Sequence, residues 1–485
     1  MLPSMTHNEH FIGNRWVSTL SGETLPVLNP SNGELFARIA RGNRADIDAA
    51  VACARQAFAG AWGRLSPLER GRTLARWGEA ILANQDELAG IESSNTGKPL
   101  RQARADVVAL ARDVEFYGGA ADTLHGQTIP YQEGDTVLTI REPHGVTAHI
   151  IAWNDPMLIF GRSVGAALAA GNACVVAPSE TGCLSLLRVV ALTAEVGFPA
   201  GALNIVTGLG AEAGQALAEH PDIDHISFTG SPDTGKRVAM AGASHHCPVT
   251  LELSGKSPQL VFADADLDAV MPMLVGAIIQ NAGQTLSAGS RVLIERSIYE
   301  PLLERLAQRF VQLRAGPADL DLGLDLGPLV SRTQQQRVWD FLSDAQADGI
   351  AIMAQGEVID QAPAKGYYQA PVLFRDVPPA SRLWRDEVFG PVLSAAAFDS
   401  EDEAVALANE ASYGLVASVW TRDGARQLRL ARRLDAGQIF INHDGTGGGV
   451  ELPFGGVRHS GHGREKGPEA LYGFTRIKTV AMRHG

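Results

Sequence analysis

Three places in the chain carry side chains whose types and spacing suit chemistry. At Gly208-Leu209-Gly210, with Gly214 four residues on, a glycine-rich turn follows the apolar run Leu203–Val206 and precedes a helical stretch. Glycines there let a phosphate-bearing ligand approach the backbone, although turns of this kind after strands are common and the pattern alone is weak. Phe228-Thr229-Gly230-Ser231 ends another apolar run and opens a helix whose free N–H groups suit a pyrophosphate. An ordinary helix cap explains Ser231 equally well. The third place comprises Trp153-Asn154-Asp155-Pro156, Glu252-Leu253-Ser254-Gly255-Lys256-Ser257-Pro258, and the loop Asn281-Ala282-Gly283-Gln284-Thr285-Leu286-Ser287-Ala288-Gly289-Ser290-Arg291. Read locally, Asn154 is a turn residue and Glu252 a strand-end carboxylate. Leu286 has neither an ionisable group nor a lone pair. Its neighbours Thr285 and Ser287 point elsewhere and have no obvious histidine or lysine base.

Together, the strings that begin at Glu252 and Asn281 resemble the paired active-site signatures of the aldehyde dehydrogenase superfamily. The likeness spans essentially the whole chain, since Asn95-Thr96-Gly97-Lys98-Pro99-Leu100 and Pro453–Glu465 are also similar to family strings. It implies chemistry in two halves. A thiolate adds to an aldehyde and hydride leaves for a nicotinamide; water activated by a carboxylate then hydrolyses the thioester. By this resemblance Asn154 is the oxyanion donor, joined by the main-chain N–H of residue 286, and Glu252 is the general base. The family's nucleophilic cysteine falls at Leu286, and losing a nucleophile costs on the order of 10⁶ in turnover. Negligible aldehyde dehydrogenase activity is expected. One reading is an NAD-dependent aldehyde dehydrogenase by descent, impaired at this position. Another is a non-catalytic pseudoenzyme that binds NAD or a small aldehyde, or serves as a structural subunit. Hydrolysis or hydration through Glu252 and Asn154 without a thiol is a third.

The same likeness covers a nicotinamide-dinucleotide segment from Pro199 to Ser231, and it implies cofactor contacts at Ala152, Trp153, Ser179, Glu180, Gly210, Gly214, Gly230, Ser231, Leu253, Glu387 and Phe389. Glu180 would accept hydrogen bonds from the adenosine ribose. A carboxylate there repels a 2′-phosphate, so NAD is preferred over NADP. In Glu387-Val388-Phe389-Gly390-Pro391-Val392, Glu387 would hold the nicotinamide ribose and Phe389 would pack beside the sugar. Where the family has lysine, this chain has Ala177. A charge-assisted hydrogen bond worth about 1.5–3 kcal/mol is absent, and reduced NAD affinity is expected.

The elements that must position these residues follow from periodicity. Ile47, Val51, Ala54 and Phe58 share one helical face. Ser66-Pro67-Leu68-Glu69 has the residues of a capping box, and Leu74, Trp77 and Ile81 continue a core stripe from it. A third helix runs from about Asp86 to Gly97, after a hairpin signal at Phe11–Trp16. From His144 to Ser254, strands at Val146–Ala152, Ala173–Val176, Leu203–Val206 and His225–Phe228 alternate with helices, which predicts a parallel sheet covered on both faces. A second alternating region, Ser257 to Gly447, has strands near Val292–Glu295, Val392–Phe398 and Gln438–Ile441. The glycine cluster Gly445–Gly449 reads as a flexible loop. The fold class is therefore α/β. The resemblance implies a Rossmann-like NAD-binding domain over residues 1–123 and 143–254 and an α/β catalytic domain over 255–455. Residues 124–142 and 470–485 would form a small β extension, with strands at Thr128–Arg141 and Phe474–Met482. Homodimers or homotetramers are expected to assemble through it.

At 485 residues, two or three domains are expected. The net charge of −13, with no basic cluster, argues against nucleic acid as a partner. Four cysteines (Cys53, Cys174, Cys183, Cys247) lack metal-ligand spacing and are too sparse to staple the chain, so no metal centre is expected and a reducing cytoplasm fits. Met1–His7 has no signal-peptide pattern. The most apolar run, Val164–Val176, is broken by Gly171 and Asn172 and reads as a buried helix and strand, not a membrane span.

Overall fold

Two largely parallel sheets organise the chain in a computed structural model that describes residues 6–318, 323–445 and 449–484. The N-terminal segment at residues 1–5 and the centre of the glycine cluster, residues 446–448, lie outside the described residues.

The first sheet has eight strands. Five neighbours run parallel in the spatial order Val249–Glu252, His225–Thr229, Val146–Ile151, Ala173–Pro178, Leu203–Ile205. Beyond Leu203–Ile205 lies the antiparallel hairpin Glu9–Ile12/Arg15–Ser18, at the expected Phe11–Trp16 position. Beyond Val249–Glu252 lies the short strand Gly461–His462, which pairs Glu252 with Gly461. The second sheet has seven strands drawn from residues 258–441; six are parallel, and Ile352–Gln355 is an antiparallel edge. A third, antiparallel sheet joins Gln127–Ile129, Asp135–Pro143 and Thr475–Arg483, so the expected extension strands pair with each other.

Local chemistry explains the helices that brace the first sheet. Ser66 caps Pro67–Ala83: its hydroxyl accepts from the Glu69 N–H at 3.3 Å, and the Glu69 carboxylate accepts from the Ser66 N–H at 2.7 Å. Leu74, Trp77 and Ile81 are fully buried along that helix. Gln85–Thr96 ends on Gly97, which takes a left-handed φ of 83°. The run Val164–Val176 resolves into the end of helix Pro156–Ala170 and the strand Ala173–Pro178. Its polar break has a structural use. Gly171 adopts φ 100°, and buried Asn172 accepts from Gly145 N and donates to the carbonyls of Ala167 and Phe474. Among the described residues, no helix is long and apolar enough to cross a membrane.

Candidate active site

A cavity of about 880 Å³ opens at the carboxyl ends of the parallel strands of the first sheet, where such sheets hold ligands. Ala152 and Trp153 follow strand Val146–Ile151; Ala177, Ser179 and Glu180 lie at the end of Ala173–Pro178; Gly210, Gly214, Gly230 and Ser231 complete the wall. A Cβ placed on Gly210 would meet nothing within 4 Å, so its backbone faces open space. Ser231 both lines the cavity and caps helix Pro232–Ser244, accepting from the Thr234 N–H at 3.4 Å. The two sequence readings of this serine are therefore compatible. These residues suit a dinucleotide: bare backbone and a helix N-terminus for phosphate, a carboxylate for ribose. The remaining three expected contacts do not line this cavity. Leu253 is buried against Gly235. Glu387 accepts from Gly255 N at 3.0 Å, and burial pushes its carboxyl up to about 6. Phe389, at φ 60°, meets the edge of the Trp153 ring at 5.4 Å, so it packs against a residue of the cavity wall without lining the cavity itself.

A second cavity, about 710 Å³, is lined by Asn154, Asp155, Leu286, Arg162, Val416, Phe440 and Phe454, among others. Thr285 and Ser287, expected to point elsewhere, border it too, because residues 285–287 form a turn and not an extended segment. The loop that delivers Leu286 is tightly wound: Asn281, Ala282 and Gly283 all take left-handed φ, at 48°, 53° and 74°. The Asn281 amide donates to the Asn154 carbonyl at 2.7 Å, which ties the two strings together. Leu286 is buried with Leu415 and Val416, and Phe389, Phe440 and Phe454 pack around this group. No cysteine lines either cavity among the described residues. Burial pushes the Cys174 and Cys183 thiols up to about 12.

Glu252 sits at the end of its strand, fully buried and on neither cavity wall. Neither of its carboxylate oxygens has a hydrogen-bond partner, and a Cβ on Gly455 would come within 2.8 Å of one. Burial, then the neighbouring Glu465, hold its pKa well above the usual carboxylate range, against the pull of Arg162 and Arg464. Glu465 is itself paired with Arg162 and accepts from the Ser227 hydroxyl at 2.9 Å.

A buried cluster outside the expected site residues borders the second cavity through Asp106 and Asp155. Lys98, wholly buried, meets Asp106, Asp155 at 2.9 Å and Glu92 at 3.6 Å. Burial pushes Glu92 up to about 7 and Asp106 to about 6, despite the ammonium. Asp155 also accepts from the Asn154 side-chain amide at 2.9 Å. The available signal was the acid inside Trp153-Asn154-Asp155-Pro156, at a position bordering a candidate donor.

The model of the aldehyde dehydrogenase family matches residues 16–480. The chain belongs to the aldehyde dehydrogenase family. It is 39% identical over 472 residues to a hydroxyisobutyraldehyde dehydrogenase of Mycolicibacterium austroafricanum, covering 97% of this chain and 93% of that protein. The crystal structure of a candidate aldehyde dehydrogenase from Burkholderia cenocepacia superposes with a TM-score of 0.97 at 68% identity, over 98% of this chain and all of that one. An aldehyde dehydrogenase from Bacillus cereus, solved as an NAD⁺ complex, gives 0.95 at 38% identity over 98% and 96%. The two-sheet α/β architecture is thus the aldehyde dehydrogenase fold.

Proposed function

We propose that this chain binds NAD and a small aldehyde in the manner of its family but does not carry out the family's covalent oxidation. The observation that carries the proposal is Leu286, an aliphatic side chain on the wall of the 710 Å³ cavity, with Asn154 on the same wall. Without a thiolate the family's thioester intermediate does not form.

In this reading the first sheet and its helices form the NAD-binding domain and residues 255–455 the catalytic domain. The third sheet pairs subunits into a homodimer or homotetramer. Ser231 and the N–H groups behind it hold pyrophosphate, Glu180 holds the adenosine ribose and favours NAD over NADP, and Glu387 and Phe389 stand at the nicotinamide end. Bound NAD would supply a hydride acceptor. Ala177 leaves that cavity one cation short and weakens binding. Asn154 and the Leu286 N–H remain as donors to a carbonyl oxygen. Glu252, whose pKa burial raises well above the usual carboxylate range, would act as a base only after shifting toward solvent. The NAD⁺ complex of the Bacillus cereus relative supports the cofactor assignment.

Calorimetric titration with NAD, steady-state assays with short aldehydes and intact-mass analysis test the proposal. NAD binding with no turnover is expected from the protein, and Leu286→Cys should gain an acylable thiol. Brisk NADH production by the unmodified chain, or a substrate-derived adduct on it, would overturn the reading.

A further inference from the structure

Asp155 is the feature of the cavity that the missing nucleophile leaves unexplained. Its two carboxylate oxygens are divided: one accepts from Lys98 Nζ at 2.9 Å, the other from Asn154 Nδ2 at 2.9 Å. Lys98 is fully buried and shared with Asp106 and Glu92, so one ammonium faces three carboxyl groups. Both Asp155 and Asp106 line the cavity beside Asn154 and Leu286. A hydrogen of the Asn154 amide is therefore taken by an anion, and that anion sits one hydrogen bond from where a second negative charge would develop. An oxyanion donor works by presenting positive charge that is free to strengthen its interaction in the transition state. A like charge fixed behind the donor opposes that.

We propose that Asp155 is a positioning residue that disarms the Asn154 amide, so that the carbonyl-activating half of the site is suppressed independently of Leu286. This rests on reading the cavity as the aldehyde site. It predicts that restoring the thiol alone restores little.

The test starts from Leu286→Cys and adds Asp155→Phe or Asp155→Asn. Lys98 keeps Asp106 and Glu92 in both, so the ammonium is not orphaned, and Asp155→Asn keeps the side chain's shape. Two probes are used without NAD. p-Nitrophenyl acetate acylates the thiol through an oxyanion and releases p-nitrophenolate; iodoacetamide alkylates the same thiol with no oxyanion. Calorimetry with NAD accompanies them. The expected result is acylation at least tenfold faster in both double variants than in Leu286→Cys, with alkylation rates and NAD Kd within twofold. Equal or slower acylation in both double variants, with normal alkylation and NAD binding, would overturn this inference alone. A cysteine at 286 that neither alkylates nor acylates would sink the reading of the site, and this inference with it.

Discussion

Ala177 is small, buried and on the wall of the 880 Å³ cavity, near the end of a central strand. A lysine there would add a charged donor beside Ser179 and Glu180, on a wall whose other cation is Arg237. Ala177→Lys is expected to tighten NAD binding by about tenfold or more, the equivalent of one charge-assisted hydrogen bond. Calorimetry on the pair checks this, and unchanged affinity would remove Ala177 as the cause of weak binding. Glu92 makes a prediction about pH. Burial raises its carboxyl from 4.5 to about 7, so the folded chain holds this proton more tightly than the unfolded one. Its contribution to stability is full below about 4.5 and is lost as pH rises towards 7. Urea unfolding across that window should show a shallower decline for Glu92→Gln than for the unmodified chain; parallel curves would contradict it. These residues also mark what can be read without coordinates. Asn154, Ser179, Glu180 and Ser231 stand in contiguous strings, and the structure sets each on a cavity wall. The Lys98–Asp155 contact spans 57 positions and joins the connection before helix Leu100–Ala120 to the residue that precedes helix Pro156–Ala170, so no local pattern announces it. Nor does any pattern show that Glu252 is sealed away from both cavities.

Among the elements, those with strong local instructions are the ones legible in the chain. The Ser66–Glu69 box starts its helix where expected, and Ser66→Ala should cost about 1 kcal/mol in chemical denaturation. Short apolar strands such as Val392–Phe398 and Gln438–Ile441 coincide with their expected bounds, because turn residues bracket them. The 21-residue helix Leu100–Ala120 has no counterpart in the periodicity reading. Its core face includes Asp106 and Asp113, both buried, and these acids interrupt the stripe of Ala103, Val107, Leu110 and Val114. Polar groups paired through tertiary contact defeat a reading that equates burial with apolarity. The loop before Leu286 is equally non-local. A Cβ on Gly283 would lie 2.1 Å from the Gly390 carbonyl, at a φ that disfavours side chains. Gly283→Ala should lower the unfolding midpoint and push apart this loop and the turn carrying Glu387 and Phe389. An unchanged midpoint would show that the two segments are not in register.

For the molecule as a whole, the third sheet ends in an open edge. Thr475–Arg483 pairs along one side with Asp135–Pro143 and is one of the two outer strands. Ile477 and Met482 are exposed on it, at 60% and 45%. If this sheet pairs subunits, as proposed, Ile477→Asp should reduce the mass measured by light scattering on a sizing column; an unaltered mass would place assembly elsewhere. The strand Gly461–His462 has a different consequence. It completes a sheet whose other strands all lie between residues 9 and 252, and Glu465 just after it brings the buried partner of Arg162 and Ser227. During synthesis, the other strands of the first sheet would emerge early, yet the sheet would stay unfinished at one border until residues 461–465 appear. A chain stopped near residue 455 would leave a guanidinium entombed without its counter-ion, so premature termination should yield aggregates instead of a smaller, separately folded nucleotide-binding protein.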